Sequence, residues 1–583
     1  MKTIWKERWV EVKDFKEEIA QSISQITNIP KENIYQYIET PPESKMGDYA
    51  FPCFKLAKDL KKAPPVIAQD IKAGLDKEEN NIYIDKVEVV GGYINFFVNK
   101  EEYIKSVMAE IYEKKEQYGS SEEGKGKTAL IEYSSPNIAK PFHIGHLRST
   151  VIGGALYNIY KFMGYDVVGI NHLGDWGIQF AKVMAGMSIW KCEYNFEENA
   201  IDEILKLYVR FSNEEKENPE FTEMARQWHI KLENGDEEAV KMWSWIRQVS
   251  LDEFNKTYKL LNSKFDSNNG EAFYNDKMQA IVDELDDKQL LVESEGAKVV
   301  MLDEYDMPPC IIVTSAGTSI YATRDLAALK YRINTYDFDK LVYVVGGEQQ
   351  LHFKQIFKVM ELMGYEEYVE KCEHIYFGLV VDKNGEKIGS RKGNSVSLDD
   401  IINQAISKSL EIIQEKNPDL PNKEEIAKDV GVGAVIFNDL SNSRIKDEIF
   451  DWDMMLNFNG ETGPYVQFMY VRTRSILEKA NIDLTDISDF DFSLLQEEET
   501  FEIIKQMAKL GEVLKNALDK NEPSILTRYI IALAQMYSSF YAKYTVMCDD
   551  EATQKARLLL TKQVGDVLKK GMEILGINCP EKM

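Results

Sequence analysis

The sequence predicts an α/β fold on a parallel sheet, preceded by an α+β unit and followed by an all-helical region. Three observations carry this. Residues 129–171 run ALIEY, a loop, HLRSTVIGGALYNIYKFMGY and then DVVGIN, which reads strand, helix, strand. Such a βαβ unit has parallel strands and takes ligands at their carboxyl ends. IDKVEVV (84–90) and YINFFV (93–98), joined by two glycines, read as two strands outside that unit. From about residue 400 onward the pattern is helical, with amphipathic runs such as RYIIALAQMYSSFYAKYTVM (528–547).

The elements follow in order. VKDFKEEIAQSISQIT (12–27) carries apolar residues at helical spacing, so the first domain, 1–118, opens on a helix and continues into the two strands. YGSSEEGKGKT (118–128) is rich in Gly, Ser and Lys and reads as a linker. An α/β domain spans 119–400. Within it, residues from about 190 to 290 are more charged and mostly helical, and read as an insertion. The α/β pattern then resumes with CIIVTSAG (310–317), LVYVVGG (341–347) and HIYFGLVV (374–381). A helical connecting segment fills 401–450, and a helical domain runs 451–583.

Composition narrows the class. With 583 residues, 44% hydrophobic and 29% charged, the chain reads as an ordinary globular protein of several domains. No apolar run approaches the ~18 residues that cross a bilayer. The start, MKTIWKERWV, is charged at Lys2, Lys6, Glu7 and Arg8 and does not read as a signal peptide. The six cysteines never fall into CxxC spacing, which argues against a zinc ribbon or disulfide frame and suits the reducing cytoplasm. No metal ligands are expected. A net charge of −27 excludes broad nucleic-acid affinity and leaves local, salt-sensitive patches as the route to such a partner.

Chemistry concentrates at SSPNIAKPFHIGHLRST (134–150), where two of only six histidines, His143 and His146, flank a glycine at a predicted helix start. A helix N-terminus offers unpaired N–H groups that suit phosphate. Gly145 lets a flat base approach the backbone. Two imidazoles can donate to phosphate oxygens as charge builds up. A second segment, GEKIGSRKGNS (385–395), packs Lys387, Arg391 and Lys392 among three glycines. Such a loop can close over a triphosphate. It is not a Walker A loop.

Together the two segments resemble the signatures of class I aminoacyl-tRNA synthetases, HIGH at 143–146 and a KMSKS-like KIGSR at 387–391. The longer context resembles the arginyl-tRNA synthetase family. EYSSPNIAKPFHIGHLRST (132–150), NHLGDWGIQF (171–180), YATRDLAALKYR (321–332), VYVVGGEQQLHFKQ (342–355) and FNGETGPYVQFMYVR (458–472) all carry it. So do GDYAFPCFKLAKDLKK and PPVIA (47–68), so that the resemblance spans nearly the whole chain. It implies a Rossmann-type catalytic domain, an N-terminal α+β domain on the tRNA elbow, and a C-terminal helical bundle on the anticodon.

Residue by residue, the resemblance implies that Glu132, Asn137, Tyr321, Asp325 and Gln349 bind L-arginine. A guanidinium is a planar fork suited to bidentate carboxylates, which Glu132 and Asp325 can supply. Tyr321 can pack along the stem or under the cation. Asn137 and Gln349 can hold the α-ammonium. Lysine fits such a site poorly, and no segment reads as an editing module. ATP, with Mg2+, falls to His143, Gly145, His146 and Lys387. KIGSR lacks the second lysine of KMSKS, so Lys140, Arg391 or Lys392 supplies that charge. Tyr465, Phe468, Arg472, Arg474 and Met583 are expected on tRNA(Arg). The implied enzyme is an arginine–tRNA ligase, expected in the cytoplasm as a monomer. The alternatives for the whole chain are another class I synthetase and a paralogue that binds tRNA without catalysis; a nucleotidyltransferase of HIGH-type fold is disfavoured by the length of the chain and its long helical tail.

Overall fold

The computed structural model describes residues 14–77, 82–315, 321–382, 384–385, 397–487 and 490–583. Two compact units emerge. One comprises 1–118, 472–510 and 532–568; the other comprises 119–471, 511–531 and 569–583.

In the first unit, the helix Phe15–Thr27 starts at Asp14, whose carboxylate accepts from the backbone N–H groups of Lys16 and Glu17. Its buried face, with Phe15, Ile19 and Ile23, belongs to the amphipathic pattern expected over 12–27. The strands Ile84–Val90 and Tyr93–Val98 pair antiparallel across the two glycines. Tyr49–Pro52 adds to the other side of Tyr93–Val98. Ile19, Ile23, Phe51, Ile67, Ile71, Ile94 and Phe96 form the core beneath this sheet. The helices Lys100–Lys114 and Glu498–Ala508 also belong here, and Lys505 pairs with Asp48 at 3.1 Å.

The second unit is built on a four-stranded parallel sheet in the order Cys372–Ile375, Lys340–Val344, Thr128–Glu132, Asp166–Ile170. In chain order the first strand, 128–132, is central. The second lies to one side of it, and the third and fourth to the other. The crossing direction therefore reverses between 128–132 and 340–344, and ligands settle at the carboxyl ends of such a pair. Residues 129–132 and 341–344 are buried throughout, as a sheet covered on both faces requires.

CIIVTSAG departs from expectation. Its strand, Cys310–Val313, does not join the parallel sheet. It pairs antiparallel with Ala297–Val300, which pairs with Leu291–Ser294. The reason lies in burial: Cys310 and Ile312 are inside while Ile311 is 43% exposed. That alternation belongs to a sheet with one wet face. HIYFGLVV is likewise two pieces. Its first strand ends at Ile375, and Val380–Val381 pairs parallel with Glu448–Ile449. The expected insertion is helical, with Ala200–Glu217, Pro219–Glu233, Glu237–Leu260 and Met278–Asp287.

Candidate active site

The loop after Glu132 adopts an unusual backbone. Ser134, Ser135 and Ala139 sit at φ of 68°, 46° and 62°. Left-handed conformations cost a residue with a Cβ on the order of 1 kcal/mol each and persist only where neighbours enforce them. The neighbours are identifiable. Ser134 N–H donates to Ser149 Oγ at 2.8 Å, and Ala139 N–H donates to Ser250 Oγ at 3.0 Å. The Ser134 hydroxyl lies 2.9 Å from the Tyr258 hydroxyl. Ser250 and Tyr258 lie on the Glu237–Leu260 helix, so the insertion forms the back wall of this loop.

The loop ends in the cap of the Ile144–Phe162 helix. His143 is the N-cap, and its Nδ1 accepts from Gly145 N–H at 3.1 Å. His146 completes a reciprocal box, its Nδ1 accepting from His143 N–H at 3.2 Å. Caps of this kind stabilise a helix by about 1 kcal/mol. The rings lie 3.8 Å apart, and His146 stacks on Phe142 at 5.0 Å. Gly145 is required by the cap itself, because a Cβ there would lie 2.8 Å from His143 Cε1. Burial first, then His143 and Lys140, push the His146 imidazole down to about 3. His146 is therefore neutral at pH 7. With Nδ1 accepting, its proton sits on Nε2 and is available to donate.

Acidic and basic side chains alternate beyond the strand ends. Glu132, 6% exposed, ends the central strand and pairs through Oε2 with Arg332, which is itself 1% exposed. Arg332 Nη2 lies 3.4 Å from His172 Nδ1. His172 Nε2 lies 3.9 Å from Asp325 Oδ1, and Asp325 Oδ2 accepts from His352 Nε2 at 2.6 Å. Burial alone would raise the Asp325 pKa; His352, His172 and Arg332 outweigh it and hold the carboxyl below its usual range. Tyr321, 66% exposed, starts the same helix, Tyr321–Tyr336. Tyr321, Asp325 and Arg332 are four and seven apart, which puts all three on one helical stripe.

Asn137 is exposed and pairs by a parallel bridge with Gly174. A Cβ on Gly174 would fall 1.8 Å from Asn137 Oδ1, so the GDWG turn needs its glycine for this side chain. The next residue, Asp175, is 1% exposed and accepts from Arg247 Nε at 2.9 Å and from Ala272 N–H at 2.8 Å. It anchors the insertion to the sheet. Gln349 is exposed in the 3-10 turn Gly347–Gln349, beyond the Lys340–Val344 strand. Lys140 is half-buried just ahead of the helix cap.

Lys387, Arg391 and Lys392 lie outside the described residues. The chain on their far side is placed, however. Ser397 forms an antiparallel bridge with His143, and Leu398 N–H donates to the Phe142 carbonyl at 3.0 Å.

His172, Arg332 and His352 were missed from the sequence, although each stands inside a quoted motif. A signal existed. Four of the six histidines, His143, His146, His172 and His352, follow the ends of parallel strands.

Four of the five residues expected on tRNA, Tyr465, Phe468, Arg472 and Arg474, occupy the Gly463–Ala480 helix. Tyr465, Phe468 and Arg472 share a face by their spacing, whereas Arg474 points elsewhere around the helix. The Arg472 guanidinium lies 5.1 Å from the Tyr541 ring centroid. Met583 packs against the cluster of Ile413, Leu420, Ile426, Ala427 and Val430, and its carbonyl accepts from Asn417 at 3.5 Å.

Three family models match the chain in succession. They are the arginyl tRNA synthetase N terminal domain over 13–98, the catalytic domain of tRNA synthetases class I (R) over 107–452, and the DALR anticodon binding domain over 466–583. An arginine–tRNA ligase of Halothermothrix orenii is 50% identical over 571 residues, covering 98% of this chain and all of that one. One from Clostridium botulinum is 50% identical over 572 residues, with the same coverage. The arginyl-tRNA synthetase structure of Thermus thermophilus shares the fold with a TM-score of 0.82 at 24% identity, over 97% of this chain and all of that one.

Proposed function

The chain belongs to the arginyl-tRNA synthetase family, and on that premise we propose how its site performs the family's reaction. The enzyme uses ATP to join L-arginine to tRNA(Arg). The alternatives of another class I specificity and of a paralogue without catalysis are not favoured. The arginine carboxylate attacks the α-phosphorus of ATP, arginyl-adenylate forms and pyrophosphate leaves. A hydroxyl of the terminal tRNA ribose then attacks the adenylate carbonyl and releases AMP.

The observation that carries the site assignment is the His143–His146 cap beside the reversal point of the parallel sheet. ATP lies along the N-terminus of the 144–162 helix, its base over Gly145. His146 donates from Nε2 to the phosphates. A neutral donor strengthens its hydrogen bond as negative charge grows in the transition state. Mg2+ enters with ATP as part of the substrate. Lys140, Lys387, Arg391 and Lys392 supply the cations that face the triphosphate. Asp325 and Glu132 take the guanidinium, Tyr321 packs on it, and Asn137 with Gln349 holds the α-ammonium.

The helical residues Tyr465, Phe468, Arg472, Arg474 and Met583 serve tRNA, and 1–118, 119–400, 401–450 and 451–583 act as functional divisions. The enzyme works as a monomer in the cytoplasm. Among the described residues, no helix is long and apolar enough to cross a membrane. Pyrophosphate exchange in the presence of tRNA(Arg), run across the twenty amino acids, tests the reading. Exchange with arginine alone is expected; equal exchange with another amino acid overturns it.

A further inference from the structure

A carboxylate that recognises a guanidinium must be held before the ligand arrives, because an Asp side chain that rotates loses geometric selectivity. Asp325 is held. Its Oδ2 accepts from His352 Nε2 at 2.6 Å, while Oδ1 lies 3.9 Å from His172 Nε2. A carboxylate only accepts, so Nε2 of His352 carries the proton. His352 stands in the first turn of the Gln350–Leu362 helix, an element separate from the one that bears Asp325. The grip therefore fixes the carboxylate against the scaffold rather than against its own turn. Glu132 is treated alike: Arg332, 1% exposed, occupies its Oε2.

We propose that His352 is a positioning residue for arginine selection. It engages one oxygen of Asp325 so that the other alone faces the substrate. This rests on the assignment of Asp325 to the guanidinium. The consequence is a divided recognition. Each acid contributes one oxygen to the planar fork, rather than one acid closing on it with both. A guanidinium spreads its five N–H donors over several edges and satisfies two separated oxygens; a lysine ammonium is a compact point and does not.

The test is steady-state aminoacylation of tRNA(Arg) by the full-length enzyme and its variants His352→Leu, His352→Gln and Asp325→Asn, with thermal melting of each. Leucine removes the donor. Glutamine returns an amide N–H near the position of Nε2. The expected result is a rise in arginine KM of roughly 10–100-fold for His352→Leu, the order of one hydrogen bond to a charged group. KM for ATP stays within about twofold, and His352→Gln recovers most of the loss. If Asp325→Asn raises arginine KM and His352→Leu does not, positioning by His352 is overturned while the Asp325 assignment stands. If Asp325→Asn itself leaves arginine KM unchanged, the underlying assignment falls. A glutamine variant as impaired as the leucine variant also overturns the proposal, since packing rather than the donor would then matter. Should His352→Leu fail to melt cooperatively, His352→Asn replaces it. Its shorter amide falls short of Asp325, and equal arginine KM for the Asn and Gln variants overturns the proposal.

Discussion

At the start of the 144–162 helix, two imidazoles and their cap occupy four consecutive residues, and His146 carries no charge at neutral pH. Around Asp325 the materials are the reverse. Glu132, Arg332, His172, Asp325 and His352 come from four stretches of chain and hold charges of both signs. The two regions are asked for different things. Phosphoryl chemistry develops negative charge at the reacting centre and needs donors already in place. Guanidinium recognition needs fixed negative charge, and buried acids are tolerated only when paired. One region is thus a local device and the other a network assembled at long range.

Substitutions can break that contrast, and the largest effect is expected on the charged side. Asp325→Ala leaves His352 without its acceptor and removes a charge from the pocket. Removing a half-buried carboxylate that grips the substrate cation forfeits the charged hydrogen bonds it makes, ~1.5–3 kcal/mol each, so kcat/KM for arginine should fall by roughly 10²–10³, chiefly through arginine KM. Unchanged arginine KM would place recognition elsewhere. On the neutral side, His146→Ala should lower kcat by ~10² or more, as removal of one preorganised donor does, while arginine KM stays level. Rapid-quench measurement of adenylate formation reads this directly.

Gly145→Ala sharpens the comparison. Its methyl would press on the His143 ring, so the helix cap should weaken by ~1–2 kcal/mol and melting should fall by a few degrees. Activity should drop with it, and arginine KM should not move.

The smallest effect is acid sensitivity. The His146 pKa is depressed to about 3 from an ordinary 6.5. The unfolded chain therefore takes up a proton that the native state refuses. The stability that follows is complete above pH 6.5 and is lost as pH falls toward 3. At pH 5.5 the loss is about 1 kcal/mol, given ~1.4 kcal/mol per pH unit. Urea unfolding at pH 7.5 and 5.5 should show it in the unaltered protein and show less of it in His146→Gln.

Legibility followed the same line. The helix cap was readable because its parts are neighbours: two histidines around a glycine at a strand-to-helix turn announce themselves in four letters. The central strands were readable for the same reason, as unbroken apolar runs such as LVYVV. The partner of Glu132 was not, because Arg332 lies two hundred residues on and nothing in either segment names the other. Cys310–Val313 misled because four apolar letters do not reveal that Ile311 faces solvent; only the pairing with 297–300 shows it. The segment 190–290 reads as a charged helical insertion, and nothing in its letters shows that its Ser250 and Tyr258 hold the left-handed backbone at Ala139 and Ser134.

The bridge between Ser397 and His143 has a mechanical meaning. Ser397, six residues past Arg391 in the sequence, meets the residue that caps the 144–162 helix. A shift of the backbone at Ser397 therefore meets the imidazole pair directly, through main-chain contacts with Phe142 and His143 and no intervening side chain.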